Sequence, residues 1–240
     1  MRRFFDYYRQ FEELPPEEVT RRFREQSAQE RARALSQVPP LDLASPAWHE
    51  PPHAEIVNAA TFALRRAVNA YPDTAPEPLL AALAARHGAE PGQVVAGHGA
   101  GELLRAACSA LLAGGGDALV AWPGWGPLPR LVHEAGGNAV PVALGAGGAA
   151  DVEALLAAAT GATRVVALAS PNDPTGATVG APELRRLAAG LPDGAWVLLD
   201  AALADFEEPE ADLAPLAAEL GHLIVFRSFS KAHAMAGFRA

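Results

Sequence analysis

From residue 91 onward the chain alternates between two hydrophobic patterns. Short, almost uninterrupted apolar runs rich in Val and Leu, "QVVAG", "DALVAW", "NAVPVAL", "RVVALAS", "AWVLLD" and "HLIVFRS", are separated by longer Ala/Leu/Arg stretches with helical spacing. Apolar runs with no polar alternation are strands covered on both faces, and strands alternating with helices build a mostly parallel sheet. The predicted architecture is therefore α/β: a three-layer α/β/α domain with a mostly parallel sheet. Upstream, "PPEEVTRRFREQSAQERARAL" opens on Pro and acids and gathers arginines toward its end, as a helix does. A Pro-rich connector, "PPLDLASPAWHEPPH", leads to a second helical pattern, "AEIVNAATFALRRAV", which stops at the turn "NAYPD". The expected organisation is an N-terminal helical arm and connector over residues 1–50 and the α/β domain over 51–240. The Gly/Ala stretch at 145–150 reads as a loop, and no internal repeat is visible.

Composition narrows the partners. At 240 residues the chain is long enough to bury a core without staples. A net charge of -9 argues against a nucleic-acid or acidic-membrane surface, so the expected partner is a small molecule. The lone Cys108 falls in the helical run "ELLRAACSALLA", where a thiol acts as a small buried hydrophobe. With no internal disulfide, no signal-peptide pattern and no apolar run of about 18 residues, the expectation is a cytoplasmic protein without a membrane segment. The seven histidines show no metal-ligand spacing; His49 and His53 lack a matching Cys or carboxylate cluster, and no metal is expected. No Gly-x-Ser-x-Gly elbow appears either, which argues against a serine hydrolase.

One basic residue stands apart. Of 19 Lys plus Arg, only Lys231 is lysine. Arginine stays charged, whereas a lysine amine can lose its proton and attack a carbonyl. On identity alone Lys231 reads sooner as a surface residue left by compositional drift, so its neighbours decide. In parallel sheets ligands sit beyond the carboxyl ends of the strands, which singles out "GHGAGE", "WPGWG", "SPNDPTG", "DAALADF" and "SFSK". Gly97, Gly99 and Gly101 run into a helix opening at Glu102, a pattern that cradles an anion on free first-turn N–H groups. A dinucleotide fingerprint needs glycine where Glu102 stands and an acid about 20 residues on, and this chain has neither. Asp200 ends an apolar strand: it is either the cap of the next segment or the counter-ion of a buried protonated nitrogen. Trp125 is either core or a ring laid over a ligand plane, and "SPNDPTG" is a rigid turn.

Taken in order, these segments resemble the pyridoxal-phosphate-dependent aminotransferases of class I/II, fold type I, particularly the histidinol-phosphate aminotransferase-like branch, over about residues 41–240. That family carries a Tyr-Pro-Asp turn like Tyr71-Pro72-Asp73, a Gly-Asn-Gly-Ser-Asp-Glu loop where this chain has "GHGAGE", and a Pro-Thr-Tyr segment where it has Pro123-Gly124-Trp125. It also carries Asn-Pro-Thr-Gly, Asp-Glu-Ala-Tyr, and Ser-Phe-Ser-Lys with Gly-Leu-Arg behind it. The resemblance implies that Lys231 forms a Schiff base with pyridoxal 5'-phosphate and shuttles a proton, and that Asp200 pairs with the pyridinium nitrogen. It implies that Trp125 stacks on the ring, and that Gly99, Ala100, Gly101, Ser228 and Arg239, eight residues after Lys231, hold the phosphate. Tyr71 is implied to reach the phosphate of a partner subunit, hence a homodimer with shared sites.

The implied activity is transfer of an amino group between an amino acid, or related amine, and a 2-oxo acid. A decarboxylase or lyase on the same scaffold and a catalytically incomplete fragment are the alternatives. The departures bear on this. Asp173 replaces the family Asn, and Leu203 the Tyr, that hydrogen-bond the cofactor phenolic oxygen; Ala100 and Ala201 replace Ser and Glu. The chain ends where family members continue into a small C-terminal domain carrying the arginine that clamps the substrate carboxylate. Residues 1–240 alone are accordingly expected to bind the cofactor weakly and to transaminate poorly.

Overall fold

The computed structural model describes residues 16–36, 47–71, 73, 76–207 and 212–239. Contacts divide the chain into two units, residues 1–46 and 47–240. The N-terminal residues, the connector before Ala47, and Pro72 of the Tyr-Pro-Asp turn lie outside the described residues. In the first unit, helix α1 (Pro16–Ser36) has Glu17 and Glu18 in its first turn and Arg33 in its last, matching the helix dipole. Its surface carries ion pairs of Glu18 with Arg21 and Arg22, each 3.5 Å.

The second unit opens with α2 (Ala54–Ala67) and α3 (Glu77–His87). His53 serves as the N-cap of α2, its Nδ1 accepting from the Glu55 N–H at 3.4 Å. Next comes α4 (Ala100–Leu112), and then strands and helices alternate: β1 (Asp117–Trp122), α5 (Leu128–Glu134), β2 (Asn138–Ala143), α6 (Val152–Ala158), β3 (Thr163–Ala169), α7 (Ala181–Gly190), β4 (Trp196–Asp200), α8 (Leu216–Leu220) and β5 (Leu223–Phe226). The five strands form one sheet, in order β2-β1-β3-β4-β5, and every pairing is parallel.

The period of two along each strand sorts side chains onto two faces. Ala118, Val120, Val165, Ala167, Leu198 and Phe226 pack against α4 and α5 through Leu104, Cys108, Leu112, Leu131 and Val132. Leu119, Ala121, Val166, Leu168, Val197 and Leu199 face the other way, onto Leu155 of α6, Leu184 and Leu187 of α7 and Leu216 of α8. Two apolar cores thus sandwich the sheet, each fully buried leucine contributing about 1.5–3 kcal/mol. Cys108 is completely buried in the first core, and burial pushes its thiol above the usual range.

One predicted strand is absent. "QVVAG" begins in a short 3-10 turn (Pro91–Gln93) and continues as extended chain, leaving Val95 73% exposed. Val94 has strand-like angles, φ -111° and ψ 133°. Among the described residues no strand lies alongside to accept its hydrogen bonds, and local β geometry without a neighbour is not a strand.

Candidate active site

The strand order places the topological switch point between β1 and β3, since the chain leaves β1 toward β2 on one side and returns to β3 on the other. Beyond the carboxyl ends of strands at such a point, loops diverge and leave a crevice. "WPGWG" follows β1 there and "SPNDPTG" follows β3. Asn172, 2% exposed, ties the two together: its Nδ2 donates to the Pro123 carbonyl at 3.3 Å and to Thr175 Oγ1 at 3.0 Å. Ser170 closes the loop after β3, its Oγ accepting from the Val179 N–H at 2.9 Å and donating to the Val179 carbonyl at 3.0 Å.

The anion cradle is built at the N-terminus of α4. Gly99, the N-cap, has φ 89°, a left-handed angle that favours glycine. A Cβ on Gly99 would collide with the guanidinium of Arg239, and a Cβ on Gly101 would meet the Trp125 ring at 3.4 Å. Glycines therefore admit Arg239 and Trp125 to the helix terminus. Arg239 donates to the His98 carbonyl at 3.1 Å and to the Ala236 carbonyl at 2.9 Å. Glu102, three residues into the helix, reaches back to the His98 N–H at 2.6 Å, in the manner of a capping box. The structure thus brings Gly99, Ala100, Gly101, Trp125 and Arg239 to one place.

A second group forms where β4 and β5 end. Asp200 Oδ1 accepts the Ala202 N–H at 3.0 Å and so shapes the turn leaving β4, whereas the N-cap position of the 3-10 turn that follows is Leu203 and not Asp200. Its Oδ2 accepts no hydrogen bond among the described residues. Burial pushes the Asp200 carboxyl above the usual range and Asp173 adds to this, while the Ala202 N–H and the charge of Lys231 pull the other way. Lys231 and Asp173 are therefore both close enough to act on Asp200. Ser228, three residues before Lys231, accepts the Ser230 N–H on its Oγ at 3.1 Å and shapes the turn into the lysine. Leu203 caps the short 3-10 turn after β4. Tyr71 is fully exposed and is packed against none of these residues.

Sequence reasoning singled out the loop containing Asn172 without its side-chain role, and passed over Glu102's contact with His98. The spacing of Glu102 three residues after Gly99 is a legible signal for the latter. No helix among the described residues is long and apolar enough to cross a membrane, and no group of three His, Cys, Asp or Glu among them is placed to hold a metal ion.

The described residues thus carry, on a parallel α/β sheet, a glycine-lined helix N-terminus, an aromatic ring, a half-buried carboxylate and a lysine near the carboxyl ends of the strands. Residues 41–240 match the family model of class I and II aminotransferases, and the chain belongs to that family. It is 40% identical over 171 residues to a histidinol-phosphate aminotransferase of Erythrobacter litoralis (strain HTCC2594), covering 70% of this chain and 46% of that one. It is 34% identical over 171 residues to an aromatic amino acid aminotransferase of Rhodococcus jostii (strain RHA1), covering 71% and 48%. The crystal structure of histidinol-phosphate aminotransferase from Sinorhizobium meliloti, in complex with pyridoxal-5'-phosphate, superposes with a TM-score of 0.74 at 27% identity, over 81% of this chain and 53% of that one. The chain spans about half the length of the curated relatives it matches. The α/β architecture expected from the resemblance is the one found.

Proposed function

We propose that the chain binds pyridoxal 5'-phosphate and serves as the cofactor-binding part of an aminotransferase that moves an amino group between an amino acid, or related amine, and a 2-oxo acid. The observation that carries the reading is the sole lysine within electrostatic range of a half-buried carboxylate of raised pKa at the end of β4, in a fold that also brings Arg239 and Trp125 to a glycine-lined helix terminus. The residues fit the group on chemical grounds. A half-buried carboxylate with an oxygen left over suits a protonated ring nitrogen, and first-turn N–H groups with an arginine suit a phosphate.

When bound, the cofactor supplies an aldehyde that condenses with amines and a protonated ring that accepts electrons. In this reading Lys231 Nζ holds the cofactor covalently and, when released, moves a proton. Asp200 keeps the ring nitrogen protonated, an opposite charge being able to shift a pKa by about 1–3 units. Trp125 stacks on the ring, contributing about 0.5–1.5 kcal/mol. The N–H groups of Ala100 and Gly101, with Ser228 and Arg239, hold the phosphate. Asp173 and Leu203 stand toward the phenolic oxygen, in the places where the family carries Asn and Tyr. Tyr71 completes the phosphate site of a second copy, in a homodimer. The names of the relatives point to a donor bearing a planar ring, as histidinol phosphate and the aromatic amino acids do.

The test exploits the single lysine. The chain is loaded with pyridoxal 5'-phosphate, reduced with borohydride and digested with trypsin. A blocked Lys231 resists cleavage, so the expected product is the labelled peptide from Ser228 to Arg239. Label elsewhere, or none despite bound cofactor, overturns the assignment.

A further inference from the structure

Beyond the strand ends a second set of charged side chains lies outside the group just described. Arg227, the residue after β5, donates through Nη2 to Asp205 Oδ1 at 2.6 Å, and the two side chains are only 16% and 13% exposed. Asp205 sits in the 3-10 turn Ala204–Phe206 that follows Asp200. The same carboxylate faces His233 Nε2 at 3.5 Å and Arg86 Nη2 of α3 at 3.5 Å. Arg227 Nη1 also lies 3.6 Å from Asp212 Oδ1, and Asp212 Oδ2 lies 2.6 Å from His87 Nδ1.

The arrangement is a clasp. Arg227 and His233 bracket Lys231 in sequence, four residues before it and two after, and both are tied to Asp205. Asp205 in turn belongs to the loop that leaves Asp200. Within the bracket the backbone is itself folded back, with Ala234 N–H bonded to the Lys231 carbonyl at 2.9 Å and Met235 N–H to the Phe229 carbonyl at 3.0 Å. Ala234 holds φ 56°, a left-handed angle uncommon for a non-glycine residue, so contacts around it must keep the turn in shape.

We infer that Arg227 is a positioning residue: paired with Asp205, it fastens the loop bearing Lys231 to the loop leaving Asp200 and thereby sets where the lysine amine stands relative to the carboxylate. The inference rests on the roles proposed above for Lys231 and Asp200. A nearly buried ion pair suits the task, because removing one partner leaves the other charge with more distant partners only, Arg86 and His233 for Asp205 and Asp212 for Arg227. A clasp of this kind acts on geometry and touches no ligand.

The test separates the clasp from the function. In the cofactor-free chain, Arg227→Gln and Asp205→Asn are each expected to raise amide exchange across residues 228–236 about ten-fold, the order expected when a local opening loses a partly buried pair. Peptides from β1 and β3 should be unchanged, and the double variant should be no faster than the worse single one. Arg227→Lys should recover most of the protection. In the loaded chain, Arg227→Gln should move the pH midpoint of the visible cofactor band by about half a unit or more, as expected when charged neighbours change distance. Exchange in the single variants within about two-fold of the parent, or effects that multiply in the double variant, overturns the clasp. An unmoved midpoint overturns its positioning role. If Arg227→Gln does not fold, Asp205→Asn and Arg227→Lys decide by the same exchange and midpoint criteria. A parent chain that shows no visible band with cofactor overturns the functional reading instead.

Discussion

At the residue scale Asp200 does two jobs with two oxygens. Oδ1 closes the turn onto Ala202, and Oδ2 accepts no hydrogen bond among the described residues, which is what the proposed pairing with a ring nitrogen requires. The group's folded pKa is raised, mainly by burial. An acid whose pKa is raised on folding binds more protons folded than unfolded, so its favourable contribution is present below the ordinary carboxylate pKa and is lost as pH rises through the folded value. Asp200→Asn removes that penalty. The cofactor-free variant is expected to be more stable than the parent at pH 7, with the difference shrinking as pH falls through the raised folded value and gone below about 4. Urea denaturation at the two pH values checks it, and equal stabilities at pH 7 would show that Lys231 and the Ala202 N–H already compensate the burial. Asp212 behaves oppositely. Burial works to raise its carboxyl, but the His87 hydrogen bond, the Ala214 N–H and the charges of His87 and Arg227 hold it below the usual range.

At the element scale the start of α4 depends on glycine. Gly99 has a positive φ, and the space a Cβ would fill is held by Arg239. Gly99→Ala is expected to cost about 1–2 kcal/mol from the backbone angle alone. It should also push Arg239 from the His98 carbonyl and weaken cofactor binding at least ten-fold, since a charged phosphate contact contributes on the order of 1.5–3 kcal/mol. Thermal melting and a fluorescence titration with pyridoxal 5'-phosphate read the two effects separately. Elements also show where sequence patterns stop being informative. Five of the six apolar runs became strands because each found a parallel neighbour, whereas "QVVAG" has the composition of a strand and no neighbouring strand among the described residues.

At the scale of the molecule, the sheet divides two cores that share no side chains. Leu187 of α7 lies in one and Leu198 of β4 in the other, both essentially unexposed. Truncation of either to Ala is expected to cost about 2–5 kcal/mol, the range for emptying a packed leucine site. Because the two sites face opposite sides of the sheet, the double variant should lose the sum to within about 0.5 kcal/mol. Urea midpoints of the two single variants and the double test this; a large coupling would mean that the sheet transmits repacking from one face to the other.

Several features of this protein were determined by the sequence itself, because they depend on neighbours along the chain. Apolar runs separated by helical stretches dictate the parallel α/β sheet. Glycines before Glu102 dictate an open helix start, and a carboxylate at the end of an apolar strand dictates where a buried charge must be accommodated. Other features arose only when distant segments met. Arg227 and Asp205 are 22 residues apart and Asn172 and Pro123 are 49 apart, and no spacing rule links them. Whether Arg239 points at Gly99, or Trp125 at Gly101, was likewise decided by the packing of loops beyond the sheet. Local patterns act through backbone geometry within a few residues, whereas the meeting of side chains across the strand ends follows from strand order, which only the folded chain specifies.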